Sequence, residues 1–108
     1  ALEALKRRGL KLIVRNYRCP LGEIDLICED GATLAFVEVR YRASRRYGVA
    51  AATVDARKQQ KLIRAAGHFL QKHPQHRERP ARFDVVAVEG DAMQVDWIPD
   101  AFQTRGLA

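Results

Sequence analysis

Gly22-Glu23-Ile24-Asp25-Leu26-Ile27, then Asp30-Gly31, then Phe36-Val37-Glu38-Val39-Arg40: this stretch carries the central hairpin of the chain. Asp-Gly between two alternating runs is the strongest short-range hairpin signal. Both runs alternate with period two, so each reads as a strand whose successive side chains face opposite ways. With Asp30 and Gly31 as the central turn residues, Glu29 pairs with Ala32, Ile27 faces Leu34, Asp25 faces Phe36 and Glu23 faces Glu38. Glu23, Asp25, Glu38 and Arg40 then share one face of the sheet. Asp25 and Glu38 are diagonal neighbours, roughly 7–8 Å apart between backbones, near enough for their carboxylates to converge on one ion. The inference depends on register, because a one-residue slip sends one set of side chains to the opposite face.

Like charges on adjacent strands repel and weaken pairing. A patch with three carboxylates therefore needs opposing charge. A hard divalent cation held by carboxylate oxygens supplies it, and so does a cluster of Arg and Lys. The residues alone leave two readings open: a metal site, or an exposed acidic patch at a sheet edge neutralised by basic neighbours.

The 108 residues fit one domain, 1–108, with a modest core, and the 47% hydrophobic content is enough to fold it. No apolar run approaches the roughly 20 residues of a membrane helix, and no signal peptide is visible. The expectation is a cytoplasmic protein with no membrane partner. The start at Ala1, without Met, carries the further expectation that the N-terminal helix is incomplete. Nineteen Lys and Arg against thirteen Asp and Glu give a net charge of +6. That favours a polyanionic partner, with nucleic acid first. The basic residues cluster at Lys6-Arg7-Arg8, from Arg40 to Arg46, and at Arg57-Lys58 with Lys61 and Arg64. Cys19 and Cys28 are too few for a metal knuckle, and Cys28, facing away from Asp25, reads as core. His68, His73 and His76 fit no histidine metal spacing and read as surface residues.

Along the chain, Leu2 to Arg8 reads as a helix closed by Gly9. Lys11 to Arg18, Glu23 to Glu29 and Ala32 to Arg42 read as three strands. Residues 43–52 form a basic loop. Thr53 or Asp55 caps a long helix running to about His73, with Leu62, Ile63, Ala66, Phe69 and Leu70 as its apolar stripe. Pro74 to Pro80 is a polar linker. Arg82 to Glu89 is an interior strand, and Met93 to Ile98 a last strand stopped by Pro99. The order αβββαββ describes an α/β domain with a mixed five-stranded sheet flanked by helices.

An Asp on one strand, then Glu-x-Lys/Arg on the next after a hairpin, then a helix, resembles the PD-(D/E)XK restriction-endonuclease-like superfamily. Four blocks spread over nearly the whole chain look more closely like the uncharacterised bacterial YraN-like family. They are Gly22–Ile27, Phe36–Arg40, Val54-Asp55 with Lys58-Gln59, and Arg82-Phe83-Asp84-Val85-Val86. The resemblance implies a restriction-endonuclease-like fold and a kinship with Holliday-junction resolvases. It implies a Mg²⁺- or Mn²⁺-dependent endonuclease acting on structured DNA, with Asp25 and Glu38 as the metal carboxylates and Glu23 as an auxiliary ligand. Arg40 stands where the motif most often has Lys, and Gln59 matches a helical polar residue that points into related sites. Arginine stays charged and can only stabilise anions, whereas lysine can also take part in proton traffic. Related enzymes often add a Glu from the first helix, a position that Glu3 does not obviously fill.

Arg42, Arg45, Arg46, Lys58 and Lys61 are the expected contacts to nucleic-acid backbone, and Tyr47 the expected stacking partner of an unpaired base. Asp84 is expected to pair with an Arg of the first strand, and Trp97 to sit in the core. By analogy with junction cutters, the protein would act as a symmetric homodimer. Two other classes stand beside the nuclease: a nucleic-acid-binding module that kept the fold without the catalysis, and an adaptor that binds an acidic protein through its basic face.

Overall fold

The computed structural model describes residues 2–42, 54–89 and 94–102. Helix α1 spans Leu2–Arg7. Strands β1 (Lys11–Cys19), β2 (Gly22–Asp30) and β3 (Thr33–Arg42) follow. Helix α2 (Ala56–Lys72) leads through a 3-10 turn at Pro74–His76 to β4 (Ala81–Glu89) and β5 (Gln94–Phe102). The five strands lie in the order β1-β2-β3-β4-β5. Every neighbouring pair is antiparallel except β3 and β4, which run parallel from Leu34↔Ala81 to Arg42↔Glu89. This is the mixed sheet flanked by helices that the element order implies.

Alternation sorts the strand residues into two cores. Ile27, Leu34, Phe36, Phe83 and Val85 pack under α2 with Leu62, Ala65, Ala66, Phe69 and Leu70. Leu26, Cys28, Ala35, Val37, Val86 and Val88 pack on the other side with Leu5 and Leu10. Phe69 is the hub of the first core. It meets Phe36 and Tyr17 edge-on, at centroid separations of 6.1 and 5.4 Å, and stacks on His73 at 4.3 Å. His76 stacks on the same ring, and His68 hydrogen-bonds the Tyr17 hydroxyl. The three histidines are thus half-buried packing groups and not surface residues.

Asp84 is fully buried on the α1 side. Its carboxylate accepts from Arg82 Nε at 3.0 Å, Trp97 Nε1 at 3.0 Å and the Asp100 backbone N–H at 2.9 Å. The expected Arg partner therefore comes from β4 itself and not from the first strand. Trp97 packs against the α1-side core, with the guanidinium groups of Arg8 and Arg82 over its ring at 5.3 and 5.7 Å. The last strand also differs from expectation. It passes through Pro99 to Phe102, which stacks on Phe83 at 4.8 Å. Because β5 is an edge strand with a register shift between Phe83 and Val85, the missing proline N–H costs no ladder bond there.

The hairpin register is shifted from the sequence reading. Asp30 pairs with Thr33, so Gly31 and Ala32 are the two central residues. Gly31 has φ +60°, whereas Ala32 is not among the positive-φ residues. That is the pattern of a II′ turn, which puts glycine first. Ile27 consequently faces Phe36 and not Leu34. The slip is two residues, so every side chain of the paired stretch from Leu26↔Val37 to Asp30↔Thr33 keeps its face. Arg79, just before β4, fastens the tip. Its guanidinium donates to the Ala32 carbonyl at 2.8 Å, the Gly31 carbonyl at 2.8 Å and Glu29 Oε2 at 3.0 Å. Arg82 adds a bond to Asp30 Oδ2 at 3.0 Å.

We expect Arg79→Ala to lower stability by about 1.5–3 kcal/mol, the range for hydrogen bonds involving a charged group. Arg79→Lys should recover less than half of that, because an ammonium cannot reproduce the planar fork. Urea denaturation of the three proteins checks both statements.

Candidate active site at the fork of two strands

Strands β2 and β3 pair only as far as Leu26↔Val37, although β2 continues to Gly22 and β3 to Arg42. The strands part at that point, and one more step in register sets Asp25 opposite Glu38. At the fork a side chain takes over from the ladder: Asp25 Oδ2 accepts the Val39 backbone N–H at 2.8 Å. The local twist is visible in the packing. Ile24 and Ile27 are three residues apart yet both join the α2-side core, whereas Leu26 between them joins the other. On β1, Val14 and Tyr17 repeat this spacing against the same core. Asn16 lies across from Asp25 and has φ +56°. Asparagine tolerates that left-handed region better than most residues.

Glu38 is buried, at 6% exposure, which is rare for a carboxylate. It projects on the α2 side, where Lys58 Nζ stands 3.5 Å and Arg40 3.8 Å from Oε2. The Asp25 carboxyl lies within hydrogen-bonding reach. Burial and then the negative charge of Asp25 push the Glu38 carboxyl up to about 7, while Lys58 and Arg40 pull the other way. Burial and a like charge both disfavour the ionised form, so a cation arriving between the two carboxyls relieves both.

The predicted site residues fall into three groups. Asp25, Glu38 and Arg40 come together, and Lys58 joins them from α2. Its position follows from the helix cap: Asp55 accepts the Lys58 N–H at 2.8 Å, which fixes the third helical residue above Glu38. Glu23 does not reach Glu38 as the sequence register implied. It pairs with Arg18 at 3.4 Å and lines a basic recess of about 350 Å³ with Arg18, Cys19, Gly22, Lys58 and Lys61. The β1–β2 turn approaches α2 closely there, and a Cβ on Gly22 would sit 3.1 Å from the Lys61 carbonyl oxygen. Gln59 gives its amide N–H to the Val54 carbonyl at 2.8 Å, which ties it to the start of α2. Glu3 is exposed on α1. The Arg42 side chain and all of Arg45, Arg46 and Tyr47 lie outside the described residues.

On the α1 side of the fork, Leu2, Arg15, Asn16, Asp25, Leu26, Val39 and Tyr41 line a second recess of about 370 Å³. Sequence reasoning passed over Arg15, Asn16 and Tyr41. Asn16, a polar turn-former inside an alternating strand, was the available signal. Tyr41, 78% exposed, is the more exposed of two exposed large hydrophobic residues among the described residues.

Among the described residues no three His, Cys, Asp or Glu side chains gather as a metal cluster. The donor set at the fork is therefore two carboxylates. That suits Mg²⁺, which keeps several waters and is commonly held by one or two protein carboxylates plus substrate phosphate. No helix among the described residues is long and apolar enough to cross a membrane.

Residues 1–88 match the model of "Uncharacterised protein family UPF0102". The chain is 50% identical over 108 residues to a UPF0102 protein of Alcanivorax borkumensis, covering 97% of this chain and 86% of that one. It is 50% identical over 99 residues to one of Methylobacillus flagellatus, covering 91% and 85%. A Legionella pneumophila relative is 42% identical over 102 residues, covering 94% and 86%.

The raised Glu38 pKa has a sign that can be measured. Between pH 4.5, the ordinary value, and about 7, the folded state binds more protons at this carboxyl than the unfolded state. Stability contributed by the protonated form is complete below that window and lost as pH rises through it. In EDTA, thermal unfolding should therefore shift downward from pH 4.5 to 7, and Glu38→Gln should flatten that part of the profile. An unchanged profile in Glu38→Gln assigns the pH dependence to other groups.

Proposed function

The chain belongs to the uncharacterised protein family UPF0102, and we propose that it is a metal-dependent nuclease that hydrolyses phosphodiester bonds in structured DNA. The observation that carries this reading is the carboxyl pair at the fork: Glu38 buried, Asp25 in contact with it, and a cation from each of two elements within 4.0 Å. Two cations match the two carboxyls in number, yet both stand on Glu38, and burial with the Asp25 carboxyl beside it still disfavours ionisation there. A divalent ion, when bound, would activate water and stabilise charge on the attacking and leaving oxygens.

The chain's own residues then have distinct tasks. Asp25 and Glu38 would hold the ion, Mg²⁺ or Mn²⁺. The Val39 N–H fixes the orientation of Asp25 by donating to Oδ2. Arg40, more than a third exposed, is the cation available to a scissile phosphate. Lys58 supplies from α2 the ammonium that Arg40 cannot, and it lies at the edge of the recess that also holds Arg18 and Lys61. That recess gives the phosphate backbone a basic track, so affinity should fall steeply with salt. The net charge of +6 favours the same partner.

The test is cleavage of labelled duplex, single-stranded and four-way-junction DNA with Mn²⁺ or EDTA. Wild type should cut in Mn²⁺ alone, and Asp25→Ala or Glu38→Ala should abolish cleavage while leaving salt-sensitive binding largely intact. Cleavage that survives both substitutions sinks the site.

The two-carboxylate donor set favours one second reading, a nucleic-acid-binding module without catalysis. Metal binding separates the two. A functional site should raise the melting temperature in Mn²⁺, with about 2.7 kcal/mol of stabilisation at one hundred times the dissociation constant. Asp25→Ala should lose the rise. A wild-type protein indifferent to Mn²⁺ but able to bind nucleic acid is the module.

A further inference from the structure

The carboxyl pair stands between two recesses, one on each side of the sheet, and they differ in chemistry. The α2-side recess is basic, with Arg18, Lys58 and Lys61 around Glu23. The α1-side recess has an apolar floor of Leu2, Leu26 and Val39, the polar edge of Asn16, one cation in Arg15, and Tyr41 at its rim. Asp25 belongs to the wall of this second recess while touching Glu38 on the other side. A strand crossing the fork would thus meet phosphate-binding charge on one side and a flat apolar surface on the other.

We propose that the α1-side recess takes an unpaired nucleobase, stacked on Tyr41, from the nucleotide next to the phosphate held at Asp25 and Glu38. This rests on the nuclease reading and names its substrate class: a strand with at least one unstacked base at the cut. Three observations favour a base over other occupants. The recess, at about 370 Å³, has ample room for one base. Tyr41 is 78% exposed, and an aromatic face left in solvent beside a polyanion site suits π-stacking. Arg15 is exposed at the same recess, placed to meet a phosphate of the same nucleotide. A base inside a duplex is stacked on both faces and cannot enter, so the recess selects unpaired or branched substrates.

The experiment is fluorescence anisotropy in EDTA at physiological salt, which needs no cleavage. The probes are labelled oligothymidine, the same strand made abasic, oligouridine, and a blunt duplex. The proteins are wild type, Tyr41→Ala and Tyr41→Trp, with circular dichroism to show that each is folded. Wild type should bind oligothymidine more tightly than the abasic strand and the duplex. Tyr41→Ala should abolish that preference, weakening oligothymidine binding roughly 5- to 150-fold, the equivalent of about 1–3 kcal/mol for one stacked base. Abasic binding should be unchanged by the substitution, and Tyr41→Trp should retain the preference. Oligouridine bound with the same Tyr41 dependence assigns the recess to bases of either nucleic acid, and oligothymidine alone to DNA. Equal binding of the base-bearing and abasic strands overturns the base recess while leaving the nuclease reading intact. An adventitious loss of both strands in Tyr41→Ala overturns it also. No binding of any probe by wild type overturns the base recess and leaves the nuclease reading to the four-way-junction cleavage assay.

Discussion

Strands β3 and β4 run parallel side by side, and two parallel strands cannot be joined by a tight turn. The chain must cross over one face of the sheet between them, and α2 is that crossing. Much else follows from this constraint. The crossing helix covers one face, so β3 and β4 are buried on both sides once α1 packs on the other, and Phe36, Val37, Phe83, Val85 and Val86 are all apolar. The helix begins over the end of β3 where Glu38 lies, because Asp55 caps it there. Lys58 reaches Glu38 as a result of topology as much as of sequence.

The fork between β2 and β3 sets the electrostatics. Were the ladder to continue, Asp25 and Glu38 would stand directly opposite each other as a like-charged cross-strand pair. Parting the strands lets Asp25 turn to the Val39 N–H and still touch Glu38. The cost is a buried carboxyl whose pKa is pushed up to about 7. Elements far from the fork show the opposite solution. Asp84 is equally buried, yet three donors converge on it, and its charge is answered within the fold.

The sheet and its helices were legible in the sequence because each depends on periodicity and local signals, whereas the one modest core expected is two, one on each face of the sheet. Asp25, Glu38 and Arg40 were legible because residue spacing in two strands fixes the face they share. Lys58 was expected as a contact to nucleic-acid backbone, but its place beside Glu38 depends on packing of α2 over β3, which no local pattern encodes. Arg15 and Tyr41 were passed over because they belong to the other face of the fork. Glu23 was misplaced because the ladder was assumed to run past Leu26, whereas the strands part there. The histidines were misread because their spacing excludes a metal motif but says nothing about an aromatic neighbour such as Phe69.

Arg79 holds the hairpin tip from 47 and 48 residues away along the chain. The turn that Asp30-Gly31 favours locally is therefore not the turn that the folded protein adopts. A peptide of β2 and β3 alone has no Arg79, and its strands are free to pair two residues out of step. Because that slip keeps every side chain on its face, hydrophobic burial discriminates poorly between the two alignments. The choice between them passes to polar bonds formed only after the crossover has brought β4 alongside β3. The alignment of the hairpin, and with it the step from Asp25 to Glu38 across the fork, thus depends on a residue that lies outside the hairpin.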